Sequence, residues 1–193
     1  MDMKLLEDKI RSCGRALNED VLLVDMFLNH QVDCELMKAI GDEFYRIFKD
    51  EGITKIATVE ASGIAPSAMA ALAFKVPMII LKKQASVLMD GKMLQTEVYS
   101  FTKKKSYQLT LKKEFISEND RVLLIDDFMA NGEAAMGAAK LIEMTGATVA
   151  GIGIVISKNF QPGMDKIKAA GYNVASLAQV AEMGEGYIKF VGE

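Results

Sequence analysis

The chain alternates between continuous apolar runs and segments with apolar residues at helical spacing. The runs suit strands buried on both faces, and they occupy residues 55–60, 77–81, 122–125 and 148–156, with further strands near 172–177 and 187–191. Helices are predicted over residues 2–13, 33–50 and 164–170, and also after the loop at 60–66 to residue 74 and from residue 133 onward. This order predicts an α/β fold with a mostly parallel central sheet flanked by helices.

Two segments depart from this alternation. Residues 84–113 contain the turn signal Asp90-Gly91 and two short strand patterns, 98–101 and 107–111, which predict a β-hairpin. A polar hairpin inserted in a parallel-sheet domain suggests a mobile lid, and an ordinary edge hairpin is the alternative. Residues 21–31 are apolar and then polar. Two interpretations are possible: a core strand followed by a turn, or a segment that covers a ligand. The residues alone favour the first.

Length, composition and charge narrow the class of protein. The 193 residues fit one domain, and half of them are hydrophobic, which is enough for a sizeable core. A net charge of −3 gives no support to nucleic-acid binding. The two cysteines, Cys13 and Cys34, lack metal-ligand spacing, so a reduced cytoplasmic protein is the simpler interpretation. No apolar stretch is long enough to cross a membrane, and the first residues do not resemble a signal peptide.

The strongest candidate for chemistry follows the apolar run 122–125. Asp126 and Asp127 end the run, a loop of small residues spans 130–132, and a helix begins at about Glu133. Such a loop lets backbone N–H groups approach a phosphate, and the helix dipole favours its charge. The paired carboxylates suit sugar hydroxyls or a hydrated Mg²⁺. A ribose 5-phosphate has hydroxyls for the carboxylates and a phosphate for the loop. The purely structural alternative is a capped turn between a strand and a helix.

Three other loops carry weaker signals. Ser62-Gly63 lies between a strand and a helix, and paired lysines, Lys82 and Lys83, close the run 77–81. After the run 148–156, Lys158 offers a donor for an exocyclic oxygen and Phe160 a surface on which a base can stack. A plain turn or a solvated rim is the alternative at each place. Gly151 and Gly153 lie inside a strand without a third glycine, so they are not a dinucleotide fingerprint.

The central stretch RVLLIDDFMANGEAA resembles the motif by which type I phosphoribosyltransferases bind phosphoribosyl pyrophosphate (PRPP). That family commonly has Thr-Gly where this chain has Ala130-Asn131-Gly132, and the Asn131 amide can donate in place of the lost hydroxyl. Five stretches together resemble the bacterial xanthine phosphoribosyltransferases, in which the Ala-Asn-Gly loop is normal. They are VDMFLNHQ (24–31), EASGIAP (60–66), VYSFTK (98–103), DDFMANG (126–132) and KNFQPG (158–163).

The resemblance implies a type I phosphoribosyltransferase fold in one domain, residues 1–193. A hood would form from residues 1–32 plus the C-terminal segment, with a flexible lid at about 84–113. It implies a cytoplasmic homodimer of purine salvage that converts xanthine and PRPP into xanthosine 5′-monophosphate and pyrophosphate. Mg²⁺ would take part, held mainly by PRPP rather than by protein ligands. Neither nucleic acid nor a membrane is expected as a partner.

The resemblance also assigns roles to residues. The catalytic pair would be Asp126 and Asp127. The 5′-phosphate would be bound by Ala130, Asn131, Gly132, Glu133 and Ala134, and the pyrophosphate by Ser62, Gly63 and Lys83. Xanthine would be bound by Leu22, Asn29, Lys158 and Phe160. Two rivals are a guanine or hypoxanthine enzyme, which the sequence does not separate from a xanthine enzyme, and a PRPP-sensing repressor. The repressor is disfavoured by the acidic balance and by the absence of room for an additional DNA-binding domain.

Overall fold

The computed structural model describes residues 3–83, 92–100 and 105–193. Among these residues, the α-helices are α1 (Lys4–Cys13), α2 (Cys34–Phe48), α3 (Ile64–Phe74), α4 (Glu133–Glu143) and α5 (Gly163–Ala169). The strands are β1 (Arg15–Ala16), β2 (Leu22–Leu23), β3 (Lys55–Val59), β4 (Met78–Leu81), β5 (Met93–Ser100), β6 (Lys105–Lys112), β7 (Arg121–Met129), β8 (Thr148–Lys158), β9 (Val174–Gly184) and β10 (Tyr187–Phe190). In the described part of the chain, no helix is long and apolar enough to cross a membrane.

The central sheet has six strands in the order β10-β9-β8-β7-β3-β4. Neighbouring strands from β9 to β4 are parallel, and β10 pairs antiparallel with β9 at one edge. The predicted α/β fold with a mostly parallel sheet is therefore confirmed. Because the strands are parallel, the loops that follow β3, β4, β7 and β8 all emerge at one end of the sheet, where ligand sites of such folds form.

One face of the sheet packs against α1, α2 and α3. The two glycines inside β8 fit this packing, because a Cβ at Gly151 would lie 2.6 Å from the Phe48 ring and one at Gly153 would lie 2.7 Å from the Phe44 ring. Both phenylalanines belong to α2 and are fully buried. These glycines therefore let a helix approach the sheet closely.

The other face packs against α4, α5 and the hairpin β5–β6. A Cβ at Gly137 of α4 would collide with the side chain of Val98, which is buried on β5. Strand β6 also joins the sheet edge, since Thr110 and Lys82 exchange backbone hydrogen bonds of 2.9 and 3.0 Å. The predicted hairpin is thus confirmed for the residues described. Its predicted turn, Asp90-Gly91, lies outside them, and its role as a lid stays a prediction.

Several predicted strand boundaries are wrong, including the end of the strand predicted near 172–177, which continues to Gly184 as β9. Residues 21–31 contain only the two-residue strand β2, followed by a π-helical turn at Asp25–Asn29, in which the Asp25 carbonyl accepts from the N–H groups of both His30 and Gln31. Strand β7 does not end at Ile125 but continues through the acidic pair to Met129. The longer β8 supplies the reason, because it pairs with β7 as far as Met129 and Ser157.

Candidate active site

A cavity of about 450 Å³ lies where the carboxyl ends of β3, β4 and β7 meet. Its wall comes from the ends of these strands, from the loop into α4 and from the hairpin. The lining comprises residues 59, 83, 99, 105–107 and 126–135. The structure thereby brings the predicted acidic pair, the predicted phosphate loop and Lys83 to one cavity within a single chain.

The two aspartates of this cavity differ in burial. Asp126 is only 8 % exposed, and its Oδ1 accepts a 3.1 Å hydrogen bond from the backbone N–H of Asp127, which is itself half-buried. Asp126 therefore belongs to the buried part of β7, although an acidic residue at a strand end is usually solvent-facing. Burial raises the pKa of Asp126 well above its usual range, and the neighbouring Asp127 carboxylate raises it further, while the charge of Lys83 opposes both.

Lys83 is positioned through its backbone by Glu60, the residue that follows β3. The Glu60 carboxylate accepts from the Lys83 backbone N–H at 2.6 Å and from the Lys82 Nζ at 3.1 Å. Burial opposes ionisation of Glu60, but these hydrogen bonds and the two lysine charges outweigh it and hold its pKa below the usual range. The Lys83 ammonium is left free of Glu60 and lies 5.7 Å from the centroid of the Tyr107 ring.

The predicted phosphate loop turns sharply at Gly132. This residue has φ +82°, a left-handed conformation that suits glycine, and α4 starts at the next residue. The cavity is lined by the whole predicted loop, residues 130–134. Backbone N–H groups at the start of a helix can donate to an anion, so the loop and the first turn of α4 are suited to bind a phosphate.

The predicted pyrophosphate loop borders the same place without lining the cavity. Gly63 is buried, and a Cβ there would lie 3.5 Å from Asp126 Oδ1 and would collide with the Thr58 hydroxyl. Only glycine therefore fits between β3 and the acidic pair. Ser62 is half-buried just before α3, and the Glu60–Ala61 peptide bond is cis.

Two predicted base-binding residues follow β8. The Lys158 Nζ donates to the backbone carbonyl of Asp20 and lies 5.6 Å from the centroid of the Phe128 ring, which lines the cavity. Burial lowers the pKa of Lys158, and the Asp20 carboxylate opposes that effect. Phe160 is 42 % exposed beyond it. Lys158 therefore sits beside the cavity, in reach of the chain segment between β1 and β2.

The other two predicted base-binding residues lie apart from the cavity lining. The Leu22 side chain is 6 % exposed and packs into the core with Val24 and Phe27. Asn29 is exposed at the end of the π-helical turn. The structure thus places both on the segment that contacts Lys158 through Asp20, and it does not bring either to the acidic pair.

No family model matches the chain, but full-length relatives do. The chain is 53% identical over 189 residues to "Xanthine phosphoribosyltransferase 1" of Clostridium botulinum (strain Hall), covering 98% of this chain and 100% of that one. It is 53% identical to the xanthine phosphoribosyltransferase of Agathobacter rectalis, covering 99% and 100%. The chain belongs to the xanthine phosphoribosyltransferase family.

Solved structures support the fold of this family member. The adenine phosphoribosyltransferase of Thermoanaerobacter pseudethanolicus matches with a TM-score of 0.75 at 22% identity, over 89% of this chain and 98% of that one. The Giardia lamblia enzyme crystallised with 9-deazaadenine matches with a TM-score of 0.75 at 18% identity, over 93% and 98%. At these identities the likeness concerns the fold, and it confirms the predicted phosphoribosyltransferase fold.

Several residues at the site of this phosphoribosyltransferase were missed by the sequence interpretation. Tyr99 and Tyr107 reach the cavity from the hairpin, and burial, with a smaller contribution from the charge of Asp126, raises the pKa of Tyr107. Glu60 and Asp20 do not line the cavity, but they accept hydrogen bonds from Lys83 and Lys158, respectively. The only sequence signal for the tyrosines was their place on a hairpin inserted before the acidic strand. Nothing local in the sequence pointed to Asp20.

Proposed function

We propose that the protein transfers the 5-phosphoribosyl group of PRPP to xanthine and releases pyrophosphate and xanthosine 5′-monophosphate, as a step of purine salvage. The observation that carries the proposal is one cavity in which an acidic pair, a small-residue loop at a helix start and the Lys83 ammonium group converge. Family membership supports the choice of reaction, since the relatives named above are xanthine phosphoribosyltransferases.

The reaction breaks the bond from C1′ of the ribose to pyrophosphate and forms a bond from C1′ to N9 of the base. Positive charge develops on the ribose and negative charge on the leaving group. Asp126 and Asp127 hold the ribose hydroxyls and favour the cationic ring, because negative charge near a developing cation lowers the barrier. Lys83, with the backbone of Ser62 and Gly63, favours the departing anion. No covalent nucleophile takes part.

The small-residue loop holds the other end of PRPP. Backbone N–H groups of residues 130–134 donate to the 5′-phosphate, assisted by the dipole of α4. The Asn131 side-chain amide supplies the donor that a threonine hydroxyl supplies elsewhere in the wider family. Holding both ends of the ribose fixes C1′ relative to the base and removes much of the entropic cost of the encounter.

The donor groups at the cavity fit a magnesium ion that arrives with PRPP. Within the residues described, no group of three or more His, Cys, Asp or Glu side chains is close enough to hold a metal. The phosphates of PRPP and water would hold most of the ion, and the carboxylates of Asp126 and Asp127 would accept hydrogen bonds from that water. When bound, Mg²⁺ supplies positive charge to the pyrophosphate.

The base is recognised at the Lys158 side of the cavity. Lys158 donates to O6 of a 6-oxopurine. Because an ammonium group has donors and no acceptor, it cannot pair with the 6-amino group of adenine. Phe160 stacks on the ring, Asn29 pairs with a donor and an acceptor on its edge, and Leu22 supports the segment that carries Asn29. The Asp20 carbonyl that now accepts from Lys158 gives way to the base oxygen.

The protein acts as a cytoplasmic homodimer in this proposal. Two exposed apolar side chains on the neighbouring helices α2 and α3, Tyr45 at 43 % and Leu72 at 70 %, support a partner surface there. Light scattering coupled to gel filtration measures the assembly, and a monomer at micromolar concentration would contradict it.

The activity is tested by mixing the protein with PRPP, Mg²⁺ and, in separate reactions, xanthine, guanine, hypoxanthine and adenine. Nucleotide formation is followed by absorbance and by chromatography. Fastest turnover with xanthine supports the proposal. Turnover with guanine or hypoxanthine but not xanthine would change the substrate and retain the mechanism, whereas the absence of any nucleotide product would contradict the proposal.

A further inference from the structure

The start of α4 carries a carboxylate at an anion site. Glu133 is the first residue of the helix and lines the cavity in the loop assigned to the 5′-phosphate. A carboxylate at a helix start is favourable while the site is empty, because it complements the helix dipole. The same charge repels a phosphate that must use the same backbone N–H groups. The unpaired carboxylate would therefore weaken the binding of PRPP.

A lysine from another helix holds this carboxylate. The Nζ of Lys166, on α5, donates to Glu133 Oε1, and the Glu133 and Lys166 side chains are 34% and 41% exposed. Exposed ion pairs of this kind contribute little to folding stability. The backbone from which Lys166 projects is nonetheless held against the loop, because the Gly163 N–H at the start of α5 donates to the Ala130 carbonyl at 2.9 Å.

We propose that Lys166 is a positioning residue for PRPP: it neutralises the Glu133 carboxylate and holds it to the side of the 5′-phosphate cradle. This inference rests on the proposed function. Lys166 does not touch the reacting atoms, and its effect passes through Glu133. It therefore affects how tightly PRPP binds and leaves the chemical step and the base site nearly unchanged.

The test is steady-state kinetics of three variants at low ionic strength. Lys166→Met keeps much of the side-chain bulk and removes the charge, so it leaves the Glu133 carboxylate unpaired beside the phosphate. The KM for PRPP should rise about 5- to 10-fold, with kcat and the KM for xanthine within about twofold, as expected for loss of binding that is uniform along the reaction. The control is Lys168→Met on the same helix, whose lysine makes no ion pair among the residues described.

The deciding variant is the double substitution Lys166→Met with Glu133→Gln. If Lys166 acts by neutralising Glu133, removing the carboxylate makes the lysine unnecessary, and the KM for PRPP returns to within about twofold of the wild-type value. A KM that stays high in the double variant would overturn the proposal, because it would mean that Lys166 contacts the phosphate itself or supports the fold. An unchanged KM in Lys166→Met would overturn it as well.

Calorimetric titration with PRPP and Mg²⁺ separates this inference from the proposed function. It measures the same loss and recovery of affinity without requiring turnover. If wild-type protein binds PRPP but forms no xanthosine 5′-monophosphate, the proposed function fails and the role of Lys166 is still decided. If wild-type protein does not bind PRPP, both fail together.

Discussion

Gly163 lies directly against Ala130, and its backbone N–H donates to the Ala130 carbonyl at 2.9 Å. A Cβ at position 163 would collide with that carbonyl oxygen and would lie 2.9 Å from the backbone nitrogen of Gly132. Two segments distant in sequence are thus packed backbone to backbone: the start of α5, just after the turn that follows Lys158, and the loop assigned to the 5′-phosphate. A side chain at 163 can be accommodated only if the phosphate loop shifts.

We expect Gly163→Ala to raise the KM for PRPP by about tenfold or more, because small displacements of donor groups weaken an anion site strongly. The measurement is steady-state kinetics with varied PRPP, together with thermal unfolding. Gly171→Ala is the matched control, since it meets no atom within 4 Å and is strained only by its φ of +87°. A Gly171→Ala variant that lost PRPP affinity equally would show that instability, not loop position, causes the effect.

Asp126→Asn should stabilise the protein while it removes activity. Burial raises the pKa of Asp126 above its ordinary value of 3.8, so its ionisation is more costly in the folded state than in the unfolded state. The contribution of Asp126 to the free energy of unfolding is therefore fully present below pH 3.8 and is lost as the pH rises through the folded-state pKa. We therefore expect the variant to melt several degrees higher than wild type at pH 7 and at the same temperature near pH 3.5.

The comparison with Asp127→Asn controls for loss of any carboxylate at the site. Asp127 is half-buried, so its replacement should raise the melting temperature less than that of Asp126. Equal melting temperatures of wild type and Asp126→Asn at pH 7 would mean that the Asp126 charge is well solvated or paired, contrary to its burial.

The double variant Asp126→Asn with Asp127→Asn tests the mechanism. It should lower turnover by at least ~100-fold, the scale of losing an electrostatic group that acts in the transition state. Circular dichroism should show an intact fold, because amides can replace the carboxylates sterically. Near-normal turnover of a folded double variant would remove the acidic pair from the mechanism.

The sequence predicted the parts of the fold whose signals are local. Strands such as 122–125 are buried on both faces and therefore appear in the sequence as apolar runs. The start of α2 is indicated by its capping residue, since Asp33 accepts from the Leu36 N–H at 3.1 Å. The extension of β7 through Asp126 was missed because it depends on pairing with β8, which the sequence does not display. The contact of Asp20 with Lys158 spans 138 positions and is equally invisible locally.

The π-helical turn at Asp25–Asn29 shows the same limit. Leu22 and Val24 alternate as in a strand, but Phe27 and Leu28 are adjacent and both buried. Only a helical turn directs two successive side chains into one core, and the core that requires this is built by α1 and α2. The family resemblance assigned roles to residues that local patterns left undecided, and these roles remain predictions.

Asp120 should support stability without affecting the site. It lies before β7, at the end of the sheet opposite the cavity, and accepts from the Ser117 N–H at 2.8 Å, the Thr54 hydroxyl at 2.9 Å and the Lys55 ammonium at 3.0 Å. Asp120→Ala leaves the largely buried Lys55 ammonium, which also donates to the Phe115 carbonyl, without a counter-charge. We therefore expect a loss of about 3 kcal/mol in the free energy of unfolding and unchanged KM values. Urea unfolding and kinetics together measure this.

The pH dependence of the Asp120 effect has a definite sign. Burial opposes ionisation of Asp120, but the hydrogen bonds from Ser117, Lys55 and Thr54 outweigh it and lower the pKa below 3.8. The stabilisation is therefore present above pH 3.8 and is lost as pH falls through the folded-state pKa. Wild type and Asp120→Ala should converge in stability in strong acid, and a gap that persisted there would mean that the contribution is packing rather than charge.

Base choice should depend on Lys158. Lys158→Met retains most of the stem and deletes the ammonium group, which we assign to O6 of the purine. We expect the KM for xanthine to rise about tenfold or more, the scale of 1–3 kcal/mol for leaving a buried polar group unpaired, with little change for PRPP. The preference for xanthine over guanine should narrow, because xanthine loses a ring proton more readily and gains most from a fixed positive charge.

Asn29→Ala is the companion variant, and it separates the base pocket from the Lys158 contact alone. Asn29 is exposed in the structure, so its removal should leave stability nearly unchanged. If the segment at residues 21–31 closes on the base, the KM for xanthine rises in Asn29→Ala while the KM for PRPP does not. Both variants are measured with xanthine and guanine at varied PRPP. Should Lys158→Met impair PRPP binding and leave base selectivity intact, Lys158 would belong to the phosphate side, and the base would have to bind elsewhere along the cavity.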